Sequence, residues 1–271
     1  MAKIVSFANQ KGGVGKTTTC VNMASFLAVM GKKVLLVDLD PQGNATTGLG
    51  FLKESKQKNI YHSIIGDQPI NECIYPTAIN GLFILPSSID LAGLEVEMVY
   101  MTEREKVLAK MFDEIKNSYD YIFIDCPPSL GLLTINALTA SDSIFIPIQC
   151  EFFALEGVTQ LMNTVRLVKK HLNKNLSIEG VVLTMRDNRS NLGHQVADEI
   201  KQYFADTIYQ TSIPRNIRLA EAPSHGEPIY QYDKSCTGAK AYQELAVEFL
   251  KRNNDTYKKI TKKSKQKRGK K

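Results

Sequence analysis

The run Lys11-Gly12-Gly13-Val14-Gly15-Lys16-Thr17-Thr18 constrains this 271-residue chain more than any other feature. It is entered from a short apolar segment and left through a helical one. Glycines at this spacing let successive backbone N–H groups converge on one point, and a helix N-terminus there adds a favourable dipole for an anion. A lysine and a hydroxyl beside them address terminal phosphates and a divalent cation. On this reading Gly12, Gly13 and Gly15, with Val14 between them, cradle the phosphates of a nucleoside triphosphate such as ATP. Lys16 supplies charge to the β- and γ-phosphates, Thr17 ligates Mg²⁺, and Thr18 opens the helix. One position departs from the general pattern, which calls for glycine where this chain has Gln10.

Strand and helix patterns alternate along the chain. Strands are expected at 3–8, 34–40, 82–86, 121–126, 143–149, 178–184 and 207–213. Helices are expected at 16–30, 93–117, 132–140, 155–172, 192–204 and 238–252. Repeated strand–helix–strand units predict an α/β, doubly wound, mostly parallel sheet with helices on both faces. Residues 51–80 read as an irregular insertion.

Two of the apolar strands end in carboxylates. Asp38 and Asp40 close VLLVDLD, and Asp125 closes YIFID. Open α/β sheets put ligands at the carboxyl ends of their strands. Residues i and i+2 of a strand share a face, so Asp38 and Asp40 can both look into that crevice; the bland alternative is a solvated strand-end acid. A lone carboxylate such as Asp125 suits a Mg²⁺ shell.

With these motifs the chain resembles the ParA/Soj family of chromosome- and plasmid-partitioning ATPases, within the deviant Walker A group. The resemblance runs through NQKGGVGKTT, VLLVDLDPQGNATTGLG, DYIFIDCPPSLGLLTINALTASD and IPRNIRLAEAPSHG. It implies that Lys11 reaches across a homodimer interface to the partner's phosphates, with two ATP molecules between two subunits and Gly12 near the interface. It implies that Asp40 positions or activates the attacking water, that Asp38 helps the Mg²⁺ shell, and that Asp125 is the Walker B acid. Pro214 and Asn216 match an adenine-contacting loop. Arg189 and Arg218 match DNA-binding arginines, with Arg186 and Arg215 close by in sequence. A ParB-type centromere-binding protein is the implied partner, non-specific double-stranded DNA the implied matrix, and slow turnover the implied rate.

Charge is unevenly placed. Residues 251–271 carry eleven of the 34 Lys/Arg and one of the 28 acidic residues, so the tail is +10 and the body −4. The chain therefore divides into a P-loop ATPase domain, 1–252, and a basic tail, 253–271, expected to be disordered beyond its first turn. The tail has only Tyr257 and Ile260 as sizeable apolar groups, too few for an inserted membrane helix, so no membrane anchor is expected. Five scattered cysteines without a Cys-x-x-Cys pair argue against a disulfide framework and an Fe–S or zinc site. The short run Ile4–Ala8 does not read as a signal peptide, and a cytoplasmic, nucleoid-associated protein is expected. The serious rival is a positioning ATPase that uses a membrane or protein scaffold instead of DNA.

Overall fold

The structure is a computed structural model that describes residues 1–51, 57–151, 154–187 and 191–260. Among the described residues seven strands form one sheet: β1 (Lys3–Phe7), β2 (Val34–Asp38), β3 (Tyr75–Pro76), β4 (Leu82–Leu85), β5 (Tyr121–Asp125), β6 (Ser143–Gln149) and β7 (Ser177–Thr184). Their order is β3-β4-β2-β5-β1-β6-β7. Every pairing is parallel except β3 with β4. Among the described residues the α-helices are α1 (Lys16–Val29), α2 (Asn44–Gly48), α3 (Ile60–Ile64), α4 (Leu91–Glu97), α5 (Val107–Ile115), α6 (Leu132–Ala140), α7 (Ala154–His171), α8 (Asn191–Phe204), α9 (Ile217–Glu221), α10 (Ile229–Tyr232) and α11 (Thr237–Arg252).

The strands are nearly continuous apolar runs because both faces of the sheet are covered. Leu35, Val37, Ile122 and Ile124 enter one core, shared with α5, α6 and α7. Val34, Leu36, Tyr121 and Phe123 enter the other, shared with α1 and α11. The period of two along a strand then decides where the carboxylates go. Asp38 follows Val34 and Leu36, and Asp125 follows Tyr121 and Phe123, so both end on the α1 side. They are also paired in register between β2 and β5.

Two expectations need correction. The stretch 93–117 is not one helix. It breaks after Tyr100, where Met101 is extended and Glu103 takes a φ of 52°. Residues 207–213 do not form a strand and keep only single bridges, Val181 with Ile208 and Arg186 with Pro214 beyond it. The reason lies in α11: the Glu248 carboxylate takes the Gln210 and Thr211 N–H groups, each at 2.9 Å. The tail is tied down where it begins. Asp255 accepts from Lys32 Nζ at 2.6 Å and from the Tyr121 hydroxyl at 2.7 Å, and the Lys258 N–H reaches the Met30 carbonyl. Its last eleven residues, 261–271, lie outside the described residues.

Candidate nucleotide site

The loop from Asn9 to Gly15 joins β1 to α1. Gly13 and Gly15 take φ values of 74° and 86°, a region that L side chains rarely adopt, which explains why glycine stands there. Gly15 is the N-cap of α1 and offers no side-chain cap. The first N–H groups of that helix therefore face the loop without intrahelical partners. Asn9 braces the loop from below: its Nδ2 donates to the Pro147 carbonyl at 2.8 Å, and its Oδ1 accepts from the Lys11 N–H at 3.1 Å.

Lys16 is buried and folds back over the loop, donating to the Lys11 carbonyl at 3.0 Å. Burial lowers its pKa, while the Asp125 charge opposes that shift. An anion bound in the loop would supply the counter-charge this ammonium lacks. Lys11 turns the other way, and its ammonium pairs with Glu151 Oε2 at 2.7 Å.

The three carboxylates are buried, so none is a solvated strand-end acid. Their surroundings differ. Asp38 is fully committed: Oδ2 accepts from the Thr46 N–H and hydroxyl, both at 2.7 Å, and Oδ1 from the Asp40 N–H at 3.3 Å. Burial pushes its pKa up to about 6, partly offset by the Thr46 bonds. Asp40 uses Oδ1 to accept from the Gln42 N–H at 2.9 Å, and its carbonyl accepts from the Ser87 hydroxyl at 2.5 Å. Asp125 is orphaned: both oxygens are buried with no hydrogen-bond partner among the described residues. Burial drives its pKa well up and the neighbouring Asp38 charge adds to this; the Thr17 hydroxyl and Lys16 oppose it, but neither makes a hydrogen bond of ordinary geometry.

A buried carboxylate without partners is costly unless a cation comes to it. Asp125 with the Thr17 hydroxyl fits the sparse protein shell of Mg²⁺, which takes one or two protein oxygens and completes itself with phosphate and water. Among the described residues no group of three His, Cys, Asp or Glu side chains could hold a metal by itself, which is compatible with that sparse shell.

A cavity of about 490 Å³ opens beside Gly15 and Thr18 and is lined by Pro214, Asn216, Ile217 and Tyr242. The loop predicted to meet adenine thus borders the glycine loop directly. Of the four arginines, Arg186 and Arg215 are joined through their backbones, the Arg215 N–H donating to the Arg186 carbonyl at 3.3 Å. Arg218 is half exposed, and its guanidinium pairs with Glu221 at 2.9 Å, so part of its charge is already spent. Arg189 lies outside the described residues.

Sequence reasoning missed Thr46, Ser87 and Glu151. Thr46 stands eight residues beyond Asp38, a spacing with no local signal, and Ser87 is brought in from β4. Only the parallel sheet brings them together.

A buried lysine, a glycine loop at a helix start and an orphaned carboxylate at the strand ends define a P-loop nucleotide-binding protein of the doubly wound α/β class. The family model described as an AAA domain matches residues 2–178. The sporulation initiation inhibitor protein Soj of Bacillus subtilis is 57% identical over 92% of this chain and 98% of its own. The chromosome-partitioning ATPase Soj of Treponema pallidum is 49% identical over 93% of this chain and 99% of its own. Among solved structures, a Mycobacterium smegmatis protein titled cobyrinic acid a,c-diamide synthase, with bound ATP analogue and magnesium, superposes with a TM-score of 0.81 at 32% identity. The match covers 96% of this chain and all of that one (100%). The chain belongs to the Soj/ParA family of chromosome-partitioning ATPases.

Proposed function

We propose that this chain is an ATP-driven DNA-partitioning switch, in which ATP and Mg²⁺ binding closes a homodimer that grips DNA without sequence preference. Hydrolysis to ADP and phosphate, stimulated by a ParB-type partner, releases it. The observation that carries this reading is the divergence of the two loop lysines. Lys16 lies folded over its own glycine loop, while the Lys11 side chain leaves the loop and ends in a half-exposed ion pair with Glu151. A lysine arranged like Lys11 can exchange that pair for a partner subunit's phosphates, as an arginine finger does. A Cβ added at Gly12 would meet nothing within 4 Å among the described residues, so the space above it is open to a bound phosphate or to a second copy.

In this mechanism the loop N–H groups and Lys16 bind the phosphates, and Pro214 and Asn216 frame the adenine. Thr17 and Asp125 would hold Mg²⁺, with Asp38 orienting the segment through Thr46. When bound, Mg²⁺ neutralises charge on the β- and γ-phosphate oxygens. Asp40 has one oxygen fixed by Gln42 and its other oxygen without a hydrogen bond among the described residues, which suits it to orient a water for attack. Arg186, Arg215, Arg189 and the partly engaged Arg218 would supply phosphate contacts, doubled in a dimer. No helix among the described residues is long and apolar enough to cross a membrane. The local arginines favour DNA over a membrane matrix. Sedimentation of the wild type and Lys11→Ala with ATP, ADP and no nucleotide tests the reading. An ATP-specific dimer lost in the variant supports it, and a dimer formed equally by the variant rejects it.

A further inference from the structure

Two glycines far apart in sequence meet backbone to backbone. Gly50 follows the C-cap of α2, and Gly226 is the C-cap of the 3₁₀ turn Ala222–His225 that succeeds α9. Both have positive φ, 80° and 66°. A Cβ built on Gly226 would stand 2.8 Å from Gly50 Cα, and one built on Gly50 would stand 3.0 Å from the Gly226 carbonyl oxygen. Main chain, not a movable side chain, fills the space at each position. A positive φ alone explains a glycine in either turn. The close approach of the two turns is a second and separate constraint.

The contact joins two parts of the site. α2 is held to the strand ends, because Thr46 donates its N–H and hydroxyl to Asp38, the register partner of Asp125. α9 carries Arg218 and begins at Asn216, whose side chain accepts the Arg218 N–H at 2.9 Å. The 222–225 turn continues α9 without a break. This stretch therefore meets the nucleotide site at both ends: Asn216 lines the cavity assigned to adenine, and Gly226 rests on Gly50 behind α2. A second cavity of about 270 Å³ opens beside the glycine contact, between Thr17, Asn44 and Thr47 on one side and Pro223 and Glu227 on the other. Beyond it the Ile229 N–H donates to Asn22 Oδ1 at 2.8 Å. The segment is thus pinned to α1 at 229 and touches α2 at 226, with open space alongside.

ATP and ADP present the same base to Asn216 and differ only at the phosphate end. A signal that separates them must start near Asp38, Asp40 and Thr17. We infer that the Gly50–Gly226 contact is a positioning device: it carries the phosphate-end state from α2 to α9, and so sets where Arg218 stands. Coupling of this kind needs an element whose placement both ends bias, and the 217–226 stretch is that element. The link from α2 to α9 stands apart from the function proposed above; its use in gripping DNA rests on that function.

The test is amide hydrogen exchange on the full chain with Mg²⁺ and either ADP or a non-hydrolysable ATP analogue, beside DNA affinity in the same two states. In the wild type, replacing ADP by the analogue is expected to change exchange rates at least about twofold both at 44–50 and at 217–226. In Gly226→Ala the change at 44–50 should persist and that at 217–226 should vanish, with the analogue still bound and the ATP-dependent dimer still formed. The ratio of DNA affinities with analogue and with ADP should fall at least about fivefold. Gly48→Ala, whose new Cβ meets only Pro223 Cβ at 3.9 Å, should behave as wild type. A wild type that changes at 44–50 but not at 217–226 overturns the inference without any variant. A change at 217–226 that survives in Gly226→Ala also overturns it and assigns the route to Asn216. If Gly226→Ala no longer binds the analogue, Gly50→Ala takes its place; loss of binding in both makes the pair purely structural and overturns the coupling. A wild type that binds no DNA in any state defeats the proposed function but leaves the exchange result decisive.

Discussion

Lys11 and Glu151 form an ion pair within one chain at 2.7 Å, with side chains 33% and 50% exposed. Such a pair is worth roughly 0.2–1 kcal/mol, so it restrains the lysine without locking it. Freeing Lys11 should favour its use across an interface. Glu151→Gln is expected to tighten the ATP-dependent dimer by up to about fivefold, the equivalent of about 1 kcal/mol. Sedimentation velocity over a concentration series reads this, and an unchanged or weaker dimer would remove Glu151 as a restraint.

Asp125 is a buried carboxyl without a hydrogen-bond partner among the described residues, a cost that a proton relieves in the empty site and a bound cation would relieve in the loaded one. Asp125→Asn should therefore raise the melting temperature of the nucleotide-free protein and, at the same time, weaken Mg²⁺-dependent ATP binding by about tenfold or more. Calorimetric titration with and without EDTA separates the two effects. A variant less stable than wild type in EDTA and equal to it in Mg²⁺–ATP affinity would reverse the assignment.

Asp38 gives a pH signature. Its folded pKa is raised from 3.8 to about 6 by burial. Between those values the unfolded chain has released a proton that the folded chain still holds, so stability falls as pH rises. The contribution is fully present below about pH 4 and lost above about pH 6, and amounts to at most about 3 kcal/mol. In EDTA without nucleotide, the wild type should lose stability over this window relative to Asp38→Asn. Parallel pH profiles for the two proteins would contradict the raised pKa.

Asp40 should matter to turnover and not to binding. Asp40→Ala is expected to lower ATP hydrolysis by about 10²-fold or more while leaving nucleotide affinity within a few fold. Single-turnover hydrolysis beside equilibrium binding measures both. Parent-rate hydrolysis would take Asp40 out of the mechanism.

Much of this architecture is legible in residues that act locally. The glycine loop, the runs ending in Asp38 and Asp125, and the parity that turns both acids toward α1 all follow from short-range pattern. What escapes is set by distant partners. Glu248 diverts the 207–213 backbone from the sheet, whereas the break in the helix expected over 93–117 is local, at extended Met101 and left-handed Glu103. Asp255 anchors the tail through Lys32 and Tyr121, which stand far away in sequence. Ser87 joins the site because β4 lies beside β2, and Thr46 because α2 folds back over the end of β2.

The central claim is that nucleotide state governs DNA grip. A titration of non-specific double-stranded DNA with ATP, ADP and no nucleotide, at two salt concentrations, tests it most directly. The account predicts tight binding with ATP alone, weakening steeply as salt rises because phosphate contacts release counterions. Equal affinity in all three nucleotide states would contradict it.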